Sequence, residues 1–556
     1  MINILQKNTN SKLVTIGEKN LSLDDIIHVS RCHVPVEITT NQTVLNKVEA
    51  SYLWLADALK NGSVIYGINT GFGGMSNVLI DQEAMCELQD NIIWYHKTGA
   101  GERLPNSDVR AAMLLRMNSH LFGASAIRME IIQRMQIFLN EGITPHVLDL
   151  GSIGASGDLV PLTSIAGALL GHSSAFKVDY RGIEMDSLTA LNKLGLPRIQ
   201  LKEKEGLAMI NGTSVMTGIA ANCVHDARLL LALSMQSHAL AIQALYGTNQ
   251  SFHPFIHNLK PHSGQIWASQ NMLSLIENSK MIRDEIHDRV KVRQEDLIQD
   301  RYSLRCLPQF IGPIVDGLKH VAKHVVIEAN SANDNPLIDV ENDTYFHGGN
   351  FLGQYIGTGM DQLRTYIALL AKHLDVQIAL AMTPAFNNGL PASLVGNGKR
   401  RVNMGLKGLQ ITGNSIMPLL SFYSNPLAPH FPTHAEQYNQ NINSLGFGSA
   451  NLTRQALNLF REYMGVVLIS MCQAVDLRAY KLTGQYDARQ CLAPNTIPLY
   501  EAINEVVGRE PSSKRSFIWN DNEQTLENTI ARLTADIATG GKLIEATSES
   551  IIPLDE

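Results

Sequence analysis

The tract from Gly151 to Val160 reads GSIGASGDLV, setting Ala155, Ser156 and Gly157 side by side with Asp158 directly after them. Three small residues in a row neither fill a core nor favour a helix. A serine in such company can mark a tight turn, act as the nucleophile of a hydrolase elbow, or belong to a backbone that reacts with itself. The elbow fails on its own terms. G-x-S-x-G needs a glycine where the chain has Asp158, and it needs a strand–turn–helix within a βαβ series that the sequence does not show.

Other chemical motifs fall away in the same manner. HGGN at 347–350 resembles an oxyanion loop but has no elbow to serve. TGGK at 539–542 lacks the upstream glycine of a phosphate-binding loop. The 18 histidines include no H-E-x-x-H, and Cys32, Cys86, Cys223, Cys306, Cys472 and Cys491 form no C-x-x-C pair. The expectation is therefore no metal and no disulfide framework. One further residue stands out: Tyr66 in SVIYGINTGFGG, a run that reads as a short strand entering a glycine loop.

These residues need elements to hold them. From about residue 205 the chain is dominated by long segments with apolar residues at three- and four-residue spacing. TSVMTGIAANCVHDARLLLALSMQSHALAIQALYG, GQYIGTGMDQLRTYIALLAKHLDVQIALAM and SANLTRQALNLFREYMGVVLISMCQAVDLRAY are the clearest. Helices apolar on several faces need other helices around them, which predicts a central bundle extended by subunit association. Earlier elements are shorter; SLDDIIHVS reads as a helix start capped by Ser22 with Asp25 three residues on. The chain reads as mostly α and as one interlocked unit: residues 1–200 carrying the Ala-Ser-Gly loop in a smaller mixed region, 201–480 the bundle, and 481–556 a helical tail.

Composition bounds the partners. The 556 residues are 45% hydrophobic and 17% charged with a net charge of −7, which supports a large core and argues against a nucleic-acid binder. Asp226, Arg228, Gln236 and His238 interrupt the most apolar helix, so no membrane span is expected. The polar N-terminal MINILQKNTN has no apolar stretch of the signal-peptide kind, and the expected location is the cytoplasm.

Seven separated segments, in order, give a family resemblance: YGINTGFGG, GSIGASGDLVPL, KEGLAMINGTSVMTG, QDRYSLRCLPQ, ANDNPLID, HGGNFLGQY and EQYNQNINSLG. Together they resemble the aromatic amino acid ammonia-lyases, which include phenylalanine, tyrosine and histidine ammonia-lyases; the tail FIWNDNEQ is similar to the cyanobacterial phenylalanine enzymes. The resemblance implies the long helical bundle of that family, of the fumarase/aspartase-like type. It also implies that Ala155, Ser156 and Gly157 cyclise into a 4-methylidene-imidazol-5-one (MIO), with no metal and no external cofactor. The Gly157 nitrogen attacks the Ala155 carbonyl, and Ser156 loses its hydroxyl. Gly157 has no side chain to block that bend.

By the same resemblance Tyr66 is the base that removes the β-proton, which requires its pKa to be depressed from about 10. Helix N-termini converging on the site would favour the phenolate. Arg305 clamps the substrate carboxylate. Asn211, Tyr302, Gln299 and Asn335 match positions that hydrogen-bond the MIO or substrate. Glu436 and Lys407 match the amine side, Phe351 a pocket wall, and Leu159 and Leu207 further substrate contacts. The implied assembly is a homotetramer whose sites draw on several chains, with a small aromatic amino acid as the only partner.

The implied selectivity pair is Tyr95-His96, following Trp94. Phenylalanine lyases usually carry Phe-Leu there, and histidine lyases Ser-His. Tyrosine lyases show Ser-His or a histidine at the first place; Tyr-His departs from all of these. Either the Tyr95 and His96 polar tips satisfy each other, leaving an apolar pocket, or His96 meets a ring hydroxyl. Gln440 stands where histidine lyases carry a glutamate, which counts against histidine. The expected activity is elimination of ammonia from L-phenylalanine, L-tyrosine or both, giving trans-cinnamate or p-coumarate. Rivals are a histidine lyase or 2,3-aminomutase of the same fold, or a silent helical scaffold.

Overall fold

The computed structural model describes residues 13–287, 298–430, 434–523 and 525–554. Residues 1–12, on which the expectation of no signal peptide chiefly rests, lie outside them. Within the described residues, the first third is a mixed layer. β1 (Val14–Ile16) pairs in parallel with β2 (Val36–Ile38) around α1 (Leu23–Ser30). The capping box forms as its sequence predicts: Asp25 N donates to Ser22 Oγ and Ser22 N donates back to Asp25 Oδ2, an arrangement worth about 1 kcal/mol. α2 (Gln42–Lys60), α3 (Met85–Tyr95), α4 (Asn106–His120) and α5 (Met129–Glu141) follow, with β3 (Ala100–Arg103) between α3 and α4. β4 (Ile143–Pro145) and β5 (Leu148–Leu150) lead into the Ala-Ser-Gly loop and α6 (Leu159–Leu170). β6 (Lys177–Tyr180) and β7 (Ile183–Asp186) form a hairpin; α7 (Ser187–Lys193) and α8 (Glu205–Ile210) complete the layer.

The stretch 63–70 is not the strand that SVIYGINTG predicts. It is a pair of turns, with Ile68 N and Asn69 N both donating to Ile65 O. Asn69 closes it, its Oδ1 accepting from Ile65 N and its Nδ2 donating to Ser63 O. The buried Ile65 and Ile68 are three apart, a turn spacing, whereas the alternation of a strand would need two.

Three long helices form the bundle. They are α9 (Ser214–Ala244), α14 (Gln354–Met382) and α16 (Gly446–Thr483), and the last packs on both others. Around them lie α10 (Pro254–Asn258), α11 (Ser263–Ile276), α12 (Tyr302–Arg305), α13 (Leu307–Ala329) and α15 (Lys407–Tyr423). The tail adds α17 (Ile497–Val507), α18 (Leu526–Thr539) and α19 (Lys542–Ser548), while β8 (Leu337–Asp339) and β9 (Thr344–Phe346) form a small hairpin before α14. One apolar core runs without a break from Val14 to Leu554. Every residue of α9 except Asp226 and Arg228 is buried. Its polar residues tie elements together: Asp226 pairs with Arg31, just after α1, and with Arg461 of α16, and Gln236 donates to Asn495 O. Among the described residues no helix is long and apolar enough to cross a membrane.

The long helices start in one place. A Cβ on Gly353, at the head of α14, would strike Met216 near the start of α9, and a Cβ on Gly446, the first residue of α16, would strike the same Met216 sulfur. Met216 N in turn donates to Asp158, the residue before α6, at 2.7 Å. Four helix N-termini (α6, α9, α14 and α16) therefore converge on the Ala-Ser-Gly loop.

Candidate active site

Gly157 is held in the left-handed region with φ +70°, and its pairing with Gly212 is so close that a Cβ would overlap the Gly212 carbonyl. Only glycine fits such a position. Asp158 N donates to Gly212 O at 2.8 Å, and Ser152 Oγ lies 3.1 Å from both Gly157 O and Asp158 Oδ1. From the other side Ser444 N and Oγ donate to Gly154 O at 3.1 and 3.0 Å, and Leu445 N to Ile153 O at 3.1 Å. Asn211 Nδ2 donates to Ser156 O at 3.0 Å, while its buried Oδ1 has no partner. Asp158 is fully buried, and desolvation pushes its carboxyl up to about 7 against the Met216, Ser152 and Val215 donors. The three residues are thus braced at both ends, with Ser156 facing open space.

That space is a cavity of about 380 Å³. Eleven residues named from the sequence line it: Tyr66, Tyr95, His96, Ser156, Leu159, Leu207, Asn211, Asn335, Phe351, Glu436 and Gln440. Ala155 and Gly157 flank Ser156 beneath it. Five lining residues were missed: Phe72, Ser76, Ile92, His347 and Asn439. Phe72 and His347 sit inside the quoted YGINTGFGG and HGGNFLGQY, so the signal was on hand; Ile92 stands one turn before His96.

Tyr66 Oη accepts from Gly73 N at 2.9 Å, and the His347 ring stands edge-on at 6.2 Å between centroids. Its pKa is not depressed in the single chain. Burial raises it, the Gly73 donor lowers it, and Glu436 raises it again. Glu436, Gln437 and Tyr438 are three consecutive residues at φ +50°, +52° and +67°. Side chains rarely adopt that conformation, and the strain marks a site whose surroundings dictate it. The facing glycines make room: a Cβ on Gly73 would collide with the Glu436 carboxylate and one on Gly74 with Gln437 Oε1. Burial raises the Glu436 pKa.

Tyr95 and His96 do not satisfy each other. Their rings stack at 4.3 Å between centroids with a 39° tilt, and His96 Nδ1 bonds Ile92 O at 2.9 Å. A carbonyl only accepts, so Nδ1 carries the proton and Nε2 presents a lone pair. Burial lowers the His96 pKa, which keeps the ring neutral.

Four named residues are absent from the cavity of their own chain: Gln299, Tyr302, Arg305 and Lys407. His373 and Gln377 on α14 bond Ser303, whereas Phe351 just before α14 lines the cavity. The stretch from Gln354 to His373 spans about 30 Å of helix. Lys407 opens α15 next to Leu406, which bonds Ser393 beside the Leu394–Gln473 contact. Gly446, at the cavity end of α16, lies about 40 Å from Gln473. Gln299 and Tyr302 are exposed. Among the described residues no group of three or more His, Cys, Asp or Glu side chains is placed to hold a metal ion.

A braced Ala-Ser-Gly loop at converging helix N-termini, under a cavity holding a buried tyrosine, matches one family in sequence as well as shape. Residues 21–504 match the aromatic amino acid lyase family, and the chain belongs to it. It is accordingly an enzyme of the carbon–nitrogen lyase class. The phenylalanine ammonia-lyase of Nostoc punctiforme is 61% identical over 539 residues, 97% of this chain and 95% of that one. An aromatic ammonia-lyase of Loktanella atrilutea is 45% identical over 530 residues, 95% and 97% of the two chains. The fold superposes on the crystal structure of a tyrosine aminomutase from Streptomyces globisporus with TM-score 0.87 at 28% identity, covering 98% of this chain and 100% of that one.

Proposed function

We propose that the chain is an MIO-dependent ammonia-lyase that converts L-phenylalanine, and L-tyrosine with it, to the trans-arylacrylate and ammonia. The observation that carries this is Ser156 facing the cavity with Tyr66 across it, its two neighbours held in a bend that only glycine permits at 157. Ala155, Ser156 and Gly157 fit the prosthetic group: they are small, braced at both ends, and served by an Asn211 side chain with an unused oxygen. When formed, the group supplies the electrophile that captures the substrate amine. The remaining steps belong to this chain's side chains. Tyr66 Oη takes the β-proton as a phenolate, stabilised by Gly73 N–H and by the positive ends of the converging helices. Glu436 faces the amine side. Phe351, Leu159 and Leu207 wall the ring, and His96 meets its para position.

The carboxylate clamp comes from a neighbouring copy in a homotetramer. Ser303, between Tyr302 and Arg305, is held about 30 Å of helix away from the cavity end of α14. Among the described residues Arg301 Nε, Ser303 Oγ, Arg305 Nε and Gln309 Oε1 are buried without a hydrogen-bond partner, which suits a surface that receives further contacts. Lys407, exposed at the head of α15, reaches a neighbouring copy's site in the same manner, whereas Asn335 serves the cavity of its own chain. Six free thiols support a reducing, cytoplasmic setting. The test is incubation with L-phenylalanine, L-tyrosine and L-histidine, read by arylacrylate absorbance and by product analysis. A β-amino acid as main product would replace the lyase with an aminomutase, and no turnover would leave only a scaffold.

A further inference from the structure

We propose that His373 and Gln377 are positioning residues for the reaction, setting the reach of Tyr302 and Arg305 into the neighbouring copy's cavity. The proposal rests on the shared-site reading above. The four residues of α12 are a single turn, closed by Leu304 N and Arg305 N on Arg301 O and by Cys306 N on Tyr302 O. A turn this short has little rigidity of its own. Its hydrogen-bonded tie to α14 is one carbonyl. Ser303 O accepts from His373 Nε2 at 2.7 Å and from Gln377 Nε2 at 2.8 Å, two donors one helical turn apart on α14.

The anchor is itself fixed. With Gln377 Nε2 spent on Ser303, its Oε1 turns to His238 Nδ1 on α9 at 2.7 Å, so three helices are tied through one side chain. His373 is wedged between the rings of His238, 4.4 Å away, and Phe310 on α13, 4.8 Å away. Gln377 and His238 are fully buried. Burial holds His373 neutral, with a pKa of about 4, so Nε2–H donates throughout the working pH range. Beyond the anchor, the Arg305 guanidinium lies over the Tyr302 ring at 4.6 Å. The double donor at Ser303 O sets where the turn carrying Tyr302 and Arg305 sits against α14, with the Tyr302 ring exposed.

The test compares His373→Phe, which keeps the ring and its stacking, Gln377→Met, which keeps the volume, and Arg305→Lys, alone and combined. The expected result is a rise of about tenfold in KM for L-phenylalanine in each anchor variant, the loss of one buried hydrogen bond, with kcat changed by less than about threefold. The tetramer and the two-water mass loss at Ala155–Gly157 stay intact. Combined with Arg305→Lys, either anchor variant adds nothing further, because both act through the same side chain. His373→Gln, which keeps an N–H for the carbonyl, recovers most of the affinity. Should His373→Phe fail to assemble, Gln377→Met carries the test. Additive losses, or unchanged KM in the anchor variants while Arg305→Lys raises it, would overturn the inference. An unchanged KM in Arg305→Lys itself would overturn the shared-site reading and this inference with it.

Discussion

The proposed pocket sets His96 against the substrate ring, and His96→Leu measures what that contact does. The side chain is 9% exposed, its Nδ1–H is committed to Ile92 O, and among the described residues Nε2 has no partner and lines the cavity. A 4-hydroxyl group donates to that lone pair. An unsubstituted ring leaves it against carbon, at a cost of about 1–3 kcal/mol for an unmet buried acceptor. At about 1.4 kcal/mol per decade, the wild-type ratio of kcat/KM for L-tyrosine over L-phenylalanine is raised roughly tenfold to a hundredfold over the ratio in His96→Leu. A 4-methoxy ring can only accept, so it gains nothing from Nε2. Its disadvantage against 4-hydroxy should shrink in the variant by the same factor. The assay is the initial rate of arylacrylate formation for the three substrates side by side. Ratios that agree within twofold between wild type and His96→Leu would refute the tautomer argument. Tyr95→Phe should leave the ratio nearly unchanged, since the Tyr95 hydroxyl makes no bond to His96.

Ser156→Ala should remove nearly all activity, and its intact mass should show none of the two-water loss expected of the wild-type chain. Tyr66→Phe should lower kcat by at least about a hundredfold with the fold intact, the usual scale for a lost general base. Because burial and Glu436 place the Tyr66 pKa above its ordinary value, the phenolate fraction grows as pH rises, so kcat/KM should climb towards the alkaline limit. Glu436→Gln removes a charge that adds to the effect of burial and should shift that limb to lower pH, measured as a pH–rate profile. Gly73→Ala puts a methyl group into the Glu436 carboxylate at φ +55°, and should cost about 1–3 kcal/mol in thermal unfolding together with a marked loss of kcat.

Helical periodicity located α9, α14 and α16 within a few residues, because each is long and the apolar spacing repeats many times. The Ser22–Asp25 capping box was legible for a different reason: it is local, and both partners lie in one turn. SVIYGINTG was misread because Ile65 and Ile68 are buried by a turn that Asn69 closes through side-chain bonds, which no hydrophobic pattern reports. The Glu436–Tyr438 conformation was equally hidden, since it depends on Gly73 and Gly74 more than three hundred residues earlier. Cavity residues within the family motifs were identifiable by position. Their tautomers and bonds, such as His96 to Ile92, follow from folded geometry alone.

The helix α14 meets the cavity wall at its head and holds Ser303 near its far end, so its length is a dimension of the machine. One residue inserted between Met360 and Leu370 would turn everything beyond it by about 100° and advance it by about 1.5 Å. His373 and Gln377 would leave the face that meets Ser303, although not one side chain of the catalytic loop had changed. Drift in chain length must therefore be accommodated elsewhere, at places such as the exposed β6–β7 hairpin tip, where a Cβ on Gly182 would touch nothing.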